Sequence, residues 1–186
     1  IGPLPPDFAT LSSVERARRG ERPPLTVAIA TRDRAASLDK CLQSILSQDY
    51  GAFEIVVVDN APATSDTQEL VANRYGAGMK VRYVREDRAG LGRAHNAALP
   101  HIHTPLAVFT DDDVIADRNW LSAMAGSFMA EDNVGCVTGL ILPAELESRA
   151  QLSTERHGGF GKGFARKVFD LGENRPDHPL FQHGDL

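Results

Sequence analysis

From Leu25 onward, short continuous apolar runs alternate with stretches whose apolar residues recur at helical spacing. Thr26-Val-Ala-Ile-Ala30 reads as a buried strand, and Ser37 is placed to cap a helix whose face carries Leu38, Cys41, Leu42, Ile45 and Leu46. Glu54-Ile-Val-Val-Val58 is a second buried strand, followed by a helix at about Thr67 to Tyr75 and a strand at Lys80 to Arg85. A helix from Leu91 to Leu99 leads into a strand at Leu106 to Thr110. The next helix presents Trp120, Leu121, Met124 and Phe128, and a last strand is expected at Val134 to Val137. Continuous apolar strands alternating with helices predict an α/β fold: a doubly wound, mostly parallel, Rossmann-like sheet covered on both faces.

The pattern divides the chain into three parts. Residues 1–24 form an arm rich in Pro, Arg and Glu; Ser12 and Glu15 stand at capping-box spacing, and Gly20 is placed to stop the short helix they would begin. Residues 25–140 carry the regular alternation. In residues 141–186 it weakens: Leu146 to His157 predicts a helix, and Gly158-Gly-Phe-Gly-Lys-Gly163 reads as a mobile substrate-side loop. That glycine run follows no clear strand and lacks the lysine-plus-hydroxyl ending of a phosphate loop. The chain begins with Ile1 and its last residue, Leu186, closes no element, so a piece of a longer protein is expected.

Composition narrows the classes. A hydrophobic fraction of 42% and a charged fraction of 24% over 186 residues describe an ordinary globular domain with a core of its own. No apolar run approaches the roughly 20 residues that span a bilayer. A net charge of -5 argues against a general nucleic-acid binder, which carries a basic face. Arginine far outnumbers lysine, and Arg85, Arg88 and Arg93 fall close together, either as forks for phosphate oxygens or as scattered solvated charges. Cys41 on a helix and Cys136 in a strand are expected as small buried hydrophobes of a reducing, cytoplasmic compartment.

Candidate chemistry sits at the strand ends. In Ala107-Val-Phe-Thr-Asp-Asp-Asp-Val-Ile115 an apolar run stops on three carboxylates, Asp111, Asp112 and Asp113. Three anions at the tip of a buried strand are electrostatically expensive without a cation, and Mg²⁺ or Mn²⁺ bound through one or two carboxylates plus substrate phosphates would supply it. Strand one ends in Thr31-Arg-Asp-Arg34 and strand two in Asp59-Asn60. Each alone has a local explanation as a cap or turn. Because ligands of doubly wound sheets bind beyond the C-terminal strand ends, all three together point to a binding rim.

Five segments in order then carry a resemblance: Val27-Ala-Ile-Ala-Thr-Arg-Asp-Arg34, Leu42-Gln-Ser-Ile-Leu-Ser-Gln-Asp-Tyr50, Phe53-Glu-Ile-Val-Val-Val-Asp-Asn60, Gly92-Arg-Ala-His-Asn-Ala-Ala98, and Phe109-Thr-Asp-Asp-Asp-Val114 with Trp120 and Leu121. Over about residues 25–140 the chain resembles the family 2 glycosyltransferases, inverting enzymes of the GT-A fold. The resemblance implies that Thr31 lies beside the base of a nucleoside-diphosphate sugar and that Asp59 accepts a hydrogen bond from a base ring nitrogen. It places Arg93 near the donor, Asp111 and Asp113 at the acidic ends of the D-x-D motif with Asp113 as metal ligand and Asp111 at the ribose and metal edge, and Asp112 in the middle beside the ribose. The implied cofactor is Mn²⁺ or Mg²⁺.

The family's general base lies in an acidic motif well after the D-x-D strand, and no copy stands out here. Glu155, Asp170, Glu173, Asp177 and Asp185 read as solvated loop residues, so the base is expected beyond Leu186 and the chain by itself is expected to bind donor more readily than to turn it over. Two alternatives remain: a nucleotide-sugar-binding domain without turnover, and a haloacid dehalogenase-type phosphatase, whose motif belongs on the first strand rather than the fourth. The acceptor is left open among a saccharide, a lipid-linked saccharide and a small molecule. A polyprenyl-linked acceptor would bring the domain to the inner face of the membrane.

Overall fold

The computed structural model describes residues 22–76, 78–130, 133–159 and 164–170. Two compact units are present, Ile1–Gly139 and Leu140–Leu186. The proposed cap at Ser12, the stop at Gly20, most of the glycine run and the acids Glu173, Asp177 and Asp185 lie outside the described residues.

In the first unit, four strands form one parallel sheet: β1 (Leu25–Thr31), β2 (Phe53–Asn60), β3 (Val81–Glu86) and β4 (Leu106–Asp111), in the order β3-β2-β1-β4. Between them run α1 (Ala35–Leu46), α2 (Asp66–Leu70, continued by a π-helical turn over Val71–Tyr75) and α3 (Leu91–Ala98, closed by a 3-10 turn over Leu99–His101). Helix α4 (Trp120–Met129) follows β4. The chain moves outward from β1 to β3 and then returns to lay β4 on the other side of β1. The reversal puts the topological switch point between β1 and β4.

Alternation along the strands builds two cores. Leu25, Val27 and Ile29 of β1 and Phe53, Ile55 and Val57 of β2 face α1, which contributes Leu38, Cys41, Leu42 and Ile45. Val71 and Tyr75 of the π turn and Leu121 and Ala125 of α4 complete that side. On the opposite face Ala28, Val56 and Val58 meet Ala94 and Ala98 of α3, small residues that let the helix lie close to the sheet. The expected double cover holds for β1 and β2. It does not hold for β4, where Phe109 is 44% exposed and packs against His95 with ring centroids 5.1 Å apart.

Three local expectations are corrected. Helix α1 starts at Ala35 with Arg34 at its N-cap position and no side-chain cap, so Ser37 lies within its first turn. Val134 to Val137 forms no strand, because a strand exists only through a ladder and β4 is hydrogen-bonded to β1 alone among the described residues. Cys136 is consequently exposed, whereas Cys41 is buried as expected. In α4 the fully buried line is Leu121, Ala125 and Met129, with Trp120, Met124 and Phe128 half-buried beside it.

In the second unit, α5 (Arg149–Gly158) opens on a complete capping box: Ser148 accepts from Gln151 N, and the Gln151 side chain accepts from Ser148 N at 2.8 Å.

Candidate functional site

The strand registers assemble the rim. Thr31 is the parallel partner of Asp59, and Ala30 is the partner of Asp111, so the ends of β2, β1 and β4 present Asp59, Thr31 and the acidic turn side by side.

The turn is a wired structure. Asp112 is only 3% exposed. Its Oδ2 accepts from the Thr31 hydroxyl at 2.6 Å, and its Oδ1 pairs with Arg34 Nη1 at 3.0 Å. The second Arg34 nitrogen, Nη2, donates to Asp113 Oδ2 at 2.9 Å. Burial raises the Asp112 pKa above the ordinary carboxylate value and the neighbouring anions Asp113 and Asp111 add to it; Thr31 and Arg34 act in the opposite direction. Arg34 is in turn held more firmly protonated, first by its hydrogen bond to Asp113 and then by Asp112. Below the turn, the Cys41 thiol donates to the carbonyl of Asp111 at 3.4 Å. Burial pushes that thiol up to about 12, which removes it as a nucleophile and leaves it as packing.

Downstream, the turn is anchored from α1. Gln48 Nε2 donates to Asp117 O at 2.6 Å, while its Oε1 accepts from Leu121 N at 3.0 Å. Ser44 Oγ accepts from Ala116 N at 3.0 Å. Asn119, the residue before α4, supplies no side-chain cap, so Gln48 satisfies an amide of that helix's first turn from the loop that follows α1.

Asp59 forms the other half of the rim. It is fully buried, and its Oδ2 accepts from Tyr83 OH at 2.9 Å. Its Oδ1 is buried without a partner, the one such side-chain atom among the described residues. Desolvation raises the Asp59 pKa, with Asp33 adding to the shift and Tyr83 opposing it. Tyr83 is itself pushed up to about 12, mainly by burial. An orphaned buried carboxylate oxygen is costly unless a donor arrives from outside the chain.

Asn60 links this half to α3. Its Nδ2 donates to Arg88 O at 2.9 Å and its Oδ1 accepts from Gly90 N at 2.8 Å. Gly90 has φ 138, a backbone conformation that L side chains rarely adopt, and it sets the start of α3 and the position of Arg93 on its first turn. Arg93 stays outside the Thr31–Asp112–Arg34–Asp113 network. Its charge, after the stronger hydrogen bonds from Arg88, helps to hold Glu86 below the ordinary carboxylate value. Arg85 and Arg88 are tied locally to Asp87 and Glu86 at 2.7 and 3.1 Å.

Thus the structure joins Thr31 to Asp112 directly and Asp112 to Asp113 through Arg34, sets Asp111 and Asp59 beside them, and leaves Arg93 on the flank. Arg34, Tyr83, Gln48 and Asn60 complete the site. Arg34 and Asn60 had a sequence signal, their places in the strand-end runs Thr31-Arg-Asp-Arg34 and Asp59-Asn60, whereas Tyr83 and Gln48 had none. Among the described residues no three His, Cys, Asp or Glu side chains converge on a ready-made metal site. The donor set nevertheless fits a hard divalent cation: Asp111 and Asp113 are exposed carboxylates, the number a metal takes from protein when phosphates fill the rest of its shell.

A groove of about 460 Å³ lies at the opposite, N-terminal ends of the strands, lined by residues including Pro24, Phe53, Lys80 and Thr104. It brings no comparable convergence of acidic groups and is not the candidate site.

A doubly wound sheet with an acidic turn at its switch point and a buried acid on the neighbouring strand is the GT-A arrangement. Residues 26–179 match the model of glycosyl transferase family 2, and the chain belongs to that family. It is 32% identical over 125 residues to validoxylamine A glucosyltransferase of Streptomyces hygroscopicus subsp. jinggangensis, covering 63% of this chain and 29% of that protein. It is 31% identical over 140 residues to an uncharacterized protein of Sinorhizobium fredii, covering 74% of this chain and 15% of the relative. Mannosyltransferase PcManGT from Pyrobaculum calidifontis, solved with GDP-Man and Mn²⁺, superposes with a TM-score of 0.51 at 29% identity, over 59% of this chain and 32% of its own. The S. aureus TarS 1-349 structure with UDP has the same fold, with a TM-score of 0.51 at 22% identity over 56% of this chain and 32% of its own. The chain therefore spans less than a third of the length of each of these proteins. Among the described residues no helix is long and apolar enough to cross a membrane.

Proposed function

We propose that this domain binds a nucleoside-diphosphate sugar at the β2–β1–β4 rim and serves metal-dependent, inverting transfer of the sugar to an acceptor hydroxyl. The observation that carries this reading is the buried, unpartnered Oδ1 of Asp59 on the same rim as the acidic turn. A base ring N–H is a donor suited to it, and Thr31 stands opposite as the neighbouring wall. Asp113 and Asp111 would hold Mg²⁺ or Mn²⁺, which supplies Lewis-acid stabilisation of the departing diphosphate. Asp112, with both oxygens engaged, acts through Thr31 and Arg34 as the brace of the turn. Arg93 would add positive potential on the donor flank. The Mn²⁺ and GDP-Man held by the mannosyltransferase, and the UDP held by TarS, support the ligand class.

Proton abstraction from the acceptor requires a positioned base on the face opposite the leaving group. Among the described residues, the rim carboxylates Asp59, Asp112, Asp111 and Asp113 are committed in this reading to base, brace and metal, so donor binding is assigned to this rim and the base is assigned to a group outside that set. A nucleotide-sugar-binding domain without turnover is the second reading, favoured by the same lack of a free base at the rim. Family membership leaves the phosphatase alternative without support.

Calorimetric titration with UDP, GDP and dTDP, each with and without Mn²⁺, tests the site. The expected outcome is diphosphate binding that needs the metal and falls at least about tenfold in Asp113→Ala, the loss of one metal carboxylate. Metal-independent binding unchanged by that substitution overturns the assignment.

A further inference from the structure

We infer that Arg34 is an internal counter-cation, seated on Asp112 and Asp113, that must release Asp113 before a divalent metal can bind there, so that metal and nucleoside diphosphate load together. This rests on the metal-and-diphosphate reading given above.

The geometry is specific. One guanidinium bridges two adjacent carboxylates, at 3.0 Å to Asp112 Oδ1 and 2.9 Å to Asp113 Oδ2. The two contacts are not equivalent. Asp112 is buried and also held by Thr31, so its bond to Arg34 belongs to the frame of the turn. Asp113 is exposed, with half of its side-chain surface in solvent, and Arg34 is similarly open. The outer contact is therefore the labile one.

A Mg²⁺ bonded to Asp113 would sit about 2.1 Å from the carboxylate oxygen. Through Oδ2 it would compete for the atom that already receives an N–H from Arg34; through either oxygen it would meet the repulsion of a nearby positive charge. Metal alone must pay for this repulsion. When a diphosphate arrives with the metal, its oxygens offer the planar fork of the released guanidinium a bidentate partner, and the repulsion is offset. The arrangement makes each ligand raise the other's affinity, and thermodynamic linkage makes that coupling reciprocal. It also offsets one of the three negative charges of the acidic turn when no donor is present, which eases the electrostatic problem posed by three consecutive aspartates.

Binding of Mn²⁺ followed by electron paramagnetic resonance tests the inference without any turnover. In the absence of nucleotide, Arg34→Met is expected to bind Mn²⁺ about tenfold more tightly than wild type, the effect of removing one nearby unit charge from a divalent site at the protein surface. Arg34→Lys, which keeps the charge, is expected to stay closer to wild type. The factor by which GDP or UDP tightens Mn²⁺ binding is expected to shrink in Arg34→Met. Arg34 is outside both cores, and a thermal melt of each variant verifies that the fold is kept.

If Arg34→Met binds Mn²⁺ no more tightly than wild type while Asp113→Ala abolishes Mn²⁺ binding, the counter-cation inference is overturned and the metal site stands. If neither wild type nor Arg34→Met binds Mn²⁺ with or without either nucleotide, the metal reading fails and takes the inference with it.

Discussion

Asp59 carries a cost in stability at the rim. Its carboxylate is buried with one oxygen satisfied by Tyr83 and one left open, and burial raises its pKa. An acid whose folded pKa lies above its unfolded value holds its proton more tightly in the native state. Its contribution to stability is therefore greatest at low pH and declines as pH rises from the unfolded carboxylate range through the raised folded value. Asp59→Asn removes the buried charge and keeps an acceptor for Tyr83. The variant is expected to melt at a higher temperature than wild type at neutral pH, with the difference fading as pH falls through the carboxylate range, and to lose nucleotide binding. Melting curves across pH, paired with titration, check both signs. At this scale the residue types were legible, because Asp, Asn and Thr at apolar strand ends announce themselves. Their partners were not. Thr31 and Asp112 are 81 positions apart, and Tyr83 reaches Asp59 from a different strand, so only the register brings them together.

At the scale of elements, helical and strand periods located β1 to β4 and α1 to α4 within a few residues, since each buries an apolar face at its own spacing. The misses have a common physical origin in partnership. Val134 to Val137 has strand-like composition and no ladder, and Ser37 has a capping side chain and no vacant amide to cap. The amide of Leu121, by contrast, is satisfied by a glutamine in the loop that follows α1. Gln48→Ala strips the buried Leu121 amide of its partner and leaves the Asp117 carbonyl with the Trp120 amide alone. A loss of about 1–3 kcal/mol is expected from leaving a buried donor unpaired. Because the same side chain anchors the segment behind the acidic turn, metal-dependent nucleotide binding is expected to weaken as well. Denaturant melts and calorimetry on the one variant measure the two effects separately.

For the whole molecule, the decisive fact is that chain order and strand order differ. The sequence alternation predicted a doubly wound sheet, and the reversal beyond β3 places the acidic turn next to β1. Leu42, fully buried in the core between α1 and the sheet, is expected to cost about 2–5 kcal/mol when cut to alanine, read by denaturant melts. The uneven cover of β4 was illegible, because it depends on α3 lying over β2 and β1 rather than on any pattern within β4 itself. That return of β4 has a kinetic meaning. β1, β2 and β3 are consecutive and can pair as they emerge, whereas β4 must cross back to a strand begun some eighty residues earlier, the kind of non-local closure that slows folding. Until it docks, Thr31 has no aspartate to bond and the rim has only its Asp59 half. On the proposed donor site, ligand competence would arrive with the final strand, and bound nucleotide would be a time stamp for the moment at which the sheet is finished.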